Sequence, residues 1–262
     1  MARETLVVER RGAKREVAVW TLSRPEVKNA LDSATFTALE RALASAADDA
    51  TLRAIVLTGA GGTFVSGGDL RELRAATTGA QAASLADTGR RVCDAIARLP
   101  LPVLAALPGA AIGGGAELAT ACDLRVADER ATVCFKHARM AVTTAWGILP
   151  KLVGMVGHGA ASRLLLAAEE VGAREALGLG LVDAVTEDGG CVDLAVAWGL
   201  EIAKGAPLAS AALKGLLRGI LDSPADARAS ERERFIATWT SDDHADAVEA
   251  FFGSRAPRWT GR

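Results

Sequence analysis

A run of three glycines followed by one carboxylate marks the stretch of this chain best suited to chemistry. Gly113, Gly114 and Gly115 end an apolar segment, and Glu117 lies in the alanine-rich, helix-favouring run after them. Consecutive glycines are costly inside a helix or strand, so they indicate that the backbone must approach another group closely. The free N–H groups and positive dipole end of the helix would point at that group. The spacing therefore predicts an anion or oxyanion site.

A second glycine pair precedes another expected helix start. Gly67 and Gly68 stand directly before Asp69, where the next helix-favouring run begins. If one backbone N–H from each glycine run pointed at the same carbonyl oxygen, the two donors would form an oxyanion hole. Such a device stabilises the charge of an enolate or tetrahedral intermediate in place of water. Either run alone is more typical of a tight turn, but the pair beside a carboxylate favours a catalytic site.

Nucleotide-binding and hydrolase motifs fit the sequence poorly. The loop at residues 59–64 has Phe64 where a dinucleotide fingerprint needs glycine, and no lysine follows Gly67 as in a phosphate-binding loop. There is no GxSxG segment, and none of the three histidines forms a metal-ligand pair such as HExxH. We therefore expect no metal centre. His137 could be catalytic, although a lone histidine is more often structural or solvated.

Charge and hydropathy argue against several kinds of partner. The net charge is −2 and the basic residues are dispersed, so the electrostatic footprint of a nucleic-acid-binding protein is missing. No segment reaches the roughly 18 uninterrupted apolar residues of a membrane span, and the N-terminus lacks an apolar secretion segment. We therefore expect a cytoplasmic protein that binds neither nucleic acid nor membrane.

Strand and helix patterns alternate along most of the chain and predict an α/β fold with largely parallel sheets. Alternating apolar residues at 6–9 and 17–22 indicate a β-hairpin, and Ser33 is the expected cap of an amphipathic helix over residues 35–47. From residue 192 onward the pattern is helical, with breaks too short to be linkers. We divide the chain into an α/β core at residues 1–191 and a helical region at residues 192–262.

The glycine runs and several other segments resemble the enoyl-CoA hydratase/isomerase, or crotonase, superfamily. The matching segments are residues 23–31, 63–70, 109–123, 178–183 and 251–262, in the order that the family shows. The resemblance implies a crotonase-like spiral of ββα turns, with residues 192–262 as a C-terminal α-helical trimerisation region. It further implies a homotrimer or homohexamer and an acyl-CoA substrate, with coenzyme A as part of the substrate and no other cofactor.

The resemblance also implies roles for individual residues. The backbone N–H groups of Gly68 and Gly114 would hold the thioester oxygen, and Glu117 would be the catalytic acid/base. Those implied to contact coenzyme A are Val27, Lys28, Ala30, Asp69, Leu70, Arg71 and Phe251. The aromatic residue at the position of Phe251 lies near the coenzyme A of a neighbouring subunit in this family.

The second acid/base position departs from the family. Hydratases have a second glutamate four residues after the phenylalanine of the next strand, and that count from Phe135 gives Arg139. A pocket-facing Arg139 would pair with Glu117 or with an anionic substrate group, whereas an outward-facing one would be solvated. A gap placed earlier in the loop would instead bring His137 to this position as a base. The loop up to Trp146, with Leu70 and Leu73, is expected to line the pocket.

Three functions are compatible with these residues. The first is a hydratase-type lyase that stabilises a thioester enolate. The second is decarboxylation of a 2-carboxyacyl-CoA, because the loop from Phe135 to Gly157 has a spacing similar to the ethylmalonyl/methylmalonyl-CoA decarboxylase branch. Decarboxylation generates the same enolate, and one carboxylic acid could suffice for it. The third is a catalytically degenerate acyl-CoA-binding subunit that has lost the second carboxylate.

Overall fold

The computed structural model of the chain describes residues 4–74, 78–222, 241–243, 246, 249–250 and 253–262. In these ranges the strands are β1 (Leu6–Arg11), β2 (Val17–Leu22), β3 (Ala54–Gly59), β4 (Val103–Leu107), β5 (Ala111–Ile112), β6 (Leu124–Asp128), β7 (Thr132–Cys134), β8 (Glu170–Gly172) and β9 (Ala184–Thr186). The α-helices are α1 (Ser33–Ala47), α2 (Leu70–Leu73), α3 (Gly79–Arg98), α4 (Gly114–Ala121), α5 (Leu149–Leu166), α6 (Ala173–Leu179), α7 (Cys191–Ile202) and α8 (Pro207–Asp222). Short 3-10 helices cover Pro25–Val27 and Lys136–Met140. The alternation of strands and helices confirms the predicted α/β class.

A six-stranded sheet in the order β1-β2-β3-β4-β6-β9 forms the centre of the fold. Strands β1 and β2 pair antiparallel as the predicted hairpin, and the other neighbours pair parallel. Every residue of β3 and β4 is buried, because helices cover both faces of a parallel sheet. These two strands therefore appear in the sequence as continuous apolar runs.

Successive residues of β3 contact different helices, because side chains alternate between the two faces of a strand. Ile55 and Leu57 pack in the larger apolar cluster with α1 and α3, whereas Ala54 and Val56 pack against α7. Helix α7 thus completes the core, and the division of the chain at residue 191 stays a prediction. Among the described residues, no helix has both the length and the apolar character needed to cross a bilayer.

A smaller sheet in the order β5-β7-β8 brings the two glycine runs together. Val65 bridges Ala111 at the start of β5, and Gly68 bridges Leu31 on the other side. Residues 65–68 consequently lie between Leu31 and β5, and β5 leads directly into α4. Glycine runs that are far apart in the sequence therefore become neighbours.

The N-cap of α1 differs by one residue from the prediction, and the helix begins at Ser33 and not at residue 35. Asp32, and not Ser33, is the N-cap, and its carboxylate accepts the N–H of Thr35 at 2.8 Å. Ser33 instead donates its hydroxyl to the Glu72 carboxylate at 2.8 Å, which ties α1 to α2. Both residue types are good caps, so two adjacent candidates in a sequence do not reveal which one is used.

Candidate active site

Glu117 lies on α4 and is almost completely buried, with its side chain 2% exposed. Its Oε1 atom is 2.9 Å from Nε2 of His137, and its Oε2 atom accepts the backbone N–H of Trp146 at 3.0 Å. Each carboxylate oxygen thus has one fixed partner and further lone-pair capacity for a ligand. The two partners hold the carboxylate in one orientation near the N-terminus of its helix, where the helix dipole favours negative charge.

The 3-10 helix Lys136–Met140 carries His137 toward Glu117. Phe135, directly before this helix, is fully buried and anchors its start in the core. The Nδ1 atom of His137 is buried and has no hydrogen-bond partner among the residues that the structure describes. The opposite ring nitrogen, Nε2, is the one that meets Glu117. A gap early in the loop predicts this position of His137 beside Glu117.

Arg139 does not contact Glu117. Its side chain is exposed, and its guanidinium donates to the carbonyl oxygen of Ala167 at 3.2 Å. The 3-10 helix has 3.0 residues per turn, so residues two apart in it point in different directions. For this reason His137 faces the interior, whereas Arg139 faces outward.

Two backbone N–H groups near Glu117 are available to a ligand. The carbonyl of Gly67 accepts the N–H of Leu31, and the N–H of Asp69 donates to Leu31, so the intervening N–H of Gly68 points away from Leu31. Gly114 is the first residue of α4, where the N–H has no intrahelical partner. Within the described ranges, neither N–H donates to another protein group.

The two glycine runs also approach each other closely. A Cβ atom on Gly67, which has φ of +110°, would lie 3.8 Å from the backbone nitrogen of Gly114. An apolar side chain lies against each glycine, because a Cβ on Gly68 would lie 3.0 Å from Leu73 Cδ1 and one on Gly114 2.4 Å from Trp146 Cη2. The two glycine runs therefore lie next to each other, and an oxyanion hole formed by the N–H groups of Gly68 and Gly114 stays a prediction.

The segment predicted to contact coenzyme A, at residues 27–30, is held next to Gly67 and Gly68. Ser66 donates its N–H to the carbonyl of Lys28 at 3.1 Å and its hydroxyl to the carbonyl of Val27 at 3.2 Å.

Lys28 and Asn29 both have left-handed backbone conformations, with φ of 52° and 56°. The buried Asn29 side chain holds this turn through hydrogen bonds to Arg24 N, Ala60 O and Thr63 O. Sequence reasoning did not identify this role of Asn29.

Arg24 connects this segment to the helix starts. Its guanidinium contacts the carboxylates of Asp32 at 3.0 Å and Asp69 at 2.9 Å. The N–H of Arg71 and then the guanidinium of Arg24 hold the pKa of Asp69 below its usual value. Asp69 is thus a helix cap and ion-pair partner here, and its contact with coenzyme A stays a prediction.

The remaining residues predicted to contact coenzyme A lie in different environments. Ala30 is buried, whereas Lys28, Leu70 and Arg71 are exposed beside the glycine run. Phe251 lies outside the described residues. The structure therefore brings residues 27–30 and 69–71 together and leaves the position of the aromatic residue a prediction.

A lysine that the sequence did not reveal caps the other end of α4. Lys151 of α5 donates its Nζ to the backbone oxygens of Ala121 and Cys122. A cation is favourable there because the last carbonyl groups of a helix carry partial negative charge. Burial lowers the pKa of Lys151 to about 8, so this charge is lost as the pH rises above that value.

The site combines a buried carboxylate, an adjacent imidazole and two neighbouring backbone N–H groups on an α/β scaffold. This combination is typical of enzymes that perform acid–base chemistry next to a carbonyl group. The sequence model described as enoyl-CoA hydratase/isomerase matches residues 12–262. The chain therefore belongs to the enoyl-CoA hydratase/isomerase family, and it is an acyl-CoA enzyme.

Similar proteins match the chain over nearly its whole length. It is 32% identical over 257 residues to the short-chain-enoyl-CoA hydratase of Clostridium acetobutylicum, covering 97% of each chain. It is 31% identical over 258 residues to the 2,3-dehydroadipyl-CoA hydratase of Escherichia coli, covering 98% of this chain and 99% of that protein. The crystal structure of an enoyl-CoA hydratase from Bacillus anthracis matches with a TM-score of 0.92 at 28% identity, covering 99% of this chain and 100% of that chain. The predicted crotonase-like fold is confirmed.

Proposed function

We propose that this protein adds water across the double bond of a trans-2-enoyl-CoA thioester. The observation that carries the proposal is the Glu117 carboxylate, buried and held between His137 Nε2 and the Trp146 N–H beside the two glycine N–H groups. Hydration needs a group that accepts a proton from water and returns a proton to carbon. The names of the two hydratases above, which match along nearly their whole length, agree with this reaction.

The reaction follows from the arrangement of these groups. The thioester oxygen accepts hydrogen bonds from the N–H groups of Gly68 and Gly114, and these bonds stabilise the enolate that forms. Glu117 takes a proton from water while the water oxygen bonds to C3, and it then returns that proton to C2 of the enolate to give a 3-hydroxyacyl-CoA. His137 holds Oε1 of Glu117 in place during these steps. The reaction needs no cofactor besides the coenzyme A of the substrate.

Decarboxylation of a 2-carboxyacyl-CoA is the second candidate. The count from Phe135 puts Arg139 at the position of the second hydratase glutamate, and its guanidinium donates to the carbonyl oxygen of Ala167, so this position supplies no carboxylate. Loss of CO2 from ethylmalonyl-CoA or methylmalonyl-CoA forms an enolate at the same two N–H groups, and one proton donor completes the reaction. His137 favours hydration, because it supplies a second proton-carrying group beside Glu117.

Turnover of two substrates separates these functions. We expect the protein to consume the conjugated double bond of a short trans-2-enoyl-CoA, followed by its ultraviolet absorbance, and to release no CO2 from ethylmalonyl-CoA. Release of CO2 with the double bond left intact would support the decarboxylase instead. If neither substrate is converted but acyl-CoA still binds, the protein is an acyl-CoA-binding subunit and the proposed reaction is wrong.

We also propose that the chain assembles as a homotrimer or homohexamer. Leu213, Leu217 and Ile220 lie along one side of α8 and are 60%, 67% and 52% exposed in the single chain. An apolar stripe of this kind on an exposed helix favours contact with another protein surface. We expect light scattering after size-exclusion chromatography to give three or six times the mass of one chain, and a monomeric mass at assay concentration would contradict this assembly.

A further inference from the structure

The indole of Trp146 fills the space between three helices beside Glu117. A Cβ atom on Gly89 of α3 would lie 2.0 Å from Cε2 of the indole, and a Cβ on Gly114 of α4 would lie 2.4 Å from Cη2. The ring also meets Phe36 of α1 edge to face, with centroids 5.7 Å apart and an interplanar angle of 85°. The indole is therefore wedged among α1, α3 and α4.

The position of the Trp146 indole explains why residue 89 is glycine. It lies in the interior of α3, where alanine would make a more stable helix. Because any Cβ at this position would overlap the indole, the ring can occupy the gap only if residue 89 is glycine. The sequence of α3 therefore makes room for one side chain, that of Trp146.

Trp146 borders the place where the acyl chain must run. In the proposed reaction the thioester oxygen accepts the N–H of Gly114, and C2 and C3 lie beside Glu117. The indole lies against Gly114, while the backbone N–H of Trp146 donates to Glu117. An acyl chain that extends beyond C3 consequently meets the indole. The ring also contacts Gly89 and Phe36, so it cannot move toward α3 or α1 without a change in those helices.

We infer that Trp146 limits the length of the acyl chain and makes this protein selective for short-chain acyl-CoA thioesters. The inference rests on the proposed function, because that function places the acyl chain. It adds a specificity-determining residue, which acts through the bulk of its ring and not through its backbone contact with Glu117.

The test compares four-carbon and ten-carbon substrates in wild-type protein and Trp146→Leu. We expect the wild type to favour the four-carbon trans-2-enoyl-CoA in kcat/KM, and Trp146→Leu to raise the ten- to four-carbon ratio by at least about tenfold. Leucine keeps the backbone N–H to Glu117, and the ratio cancels any loss common to both substrates. Trp198→Leu, in α7 on the other side of the sheet, is the matched control and should leave the ratio unchanged.

Binding of saturated thioesters separates failure of this inference from failure of the proposed reaction. Hydration with an unchanged chain-length ratio in Trp146→Leu would overturn the length limit alone. If no enoyl-CoA is hydrated, the affinities for butyryl-CoA and decanoyl-CoA, measured by calorimetry, still show whether the site limits the length of the acyl chain. A wild-type preference for butyryl-CoA that Trp146→Leu removes would support the limit, and equal affinities in both proteins would overturn it.

The wedge itself can be tested without substrate. Gly89→Ala should lower Tm in the wild-type protein, because the new methyl group overlaps the indole. In a Trp146→Leu background the same change should not lower Tm, since the gap is then open. Equal Tm changes in the two backgrounds would show that the ring does not fill the space beside α3 and would overturn the inference.

Discussion

Replacing Glu117 by glutamine should lower kcat by roughly 10²- to 10⁴-fold, the usual contribution of a positioned acid–base group. Glutamine has the same shape and can still accept the N–H of Trp146, but it cannot take a proton from water or return one to C2. The measurement is steady-state hydration of a short trans-2-enoyl-CoA, with acyl-CoA affinity determined separately. We expect the affinity to change much less than kcat.

The matched control for this change is Glu129→Gln, which removes an exposed carboxylate at the end of β6 and should retain wild-type kcat. Comparison of Tm for the two variants separates a loss of chemistry from a loss of fold. An undiminished kcat in Glu117→Gln would refute the acid/base role of this residue and, with it, the proposed mechanism.

Replacing Gly114 by proline should lower kcat by about 10²- to 10³-fold, as loss of one oxyanion-hole donor typically does. Proline removes the N–H, and it is tolerated at the first position of a helix, where that N–H has no intrahelical partner. Hydration kinetics at saturating substrate provide the measurement.

Gly114→Ala is the necessary companion variant. Both substitutions add a Cβ that would lie 2.4 Å from Trp146 Cη2, so both displace the indole, but only proline removes the N–H. The difference in kcat between the two variants therefore reports on the donor itself. If alanine and proline reduce kcat equally while both proteins remain folded, Gly114 does not supply an oxyanion N–H.

The regular elements could be predicted from the sequence because burial leaves a local pattern. Strands β3 and β4 are continuous apolar runs between helices, and α1 has its buried positions on one stripe. The glycine runs were visible for a similar reason, since three glycines in succession are unfavourable unless the backbone must come close to another group. These local signals sufficed for the fold class and for naming Glu117 as a candidate, whose catalytic role stays a prediction.

Contacts between distant segments could not be predicted in the same way. Trp146 N and Glu117 Oε2 join residues 29 positions apart, and nothing in either local sequence specifies that pair. The choice between His137 and Arg139 depended on where a short loop turns, which spacing alone does not fix. Arg24 and Asn29 act through several distant backbone groups, so their types gave no sign of these roles.

Helix α4 is buried along its whole length, from Gly114 to Ala121. Amides in such a segment exchange with solvent only through large-scale unfolding, whereas short exposed segments open locally at low free energy. Helix α2, with the exposed Leu70 and Arg71, is a segment of the second kind. Glu117, the proposed acid/base, and the proposed coenzyme A contacts at Leu70 and Arg71 therefore lie in segments of different local stability. A ligand can order the second part while the carboxylate keeps its place.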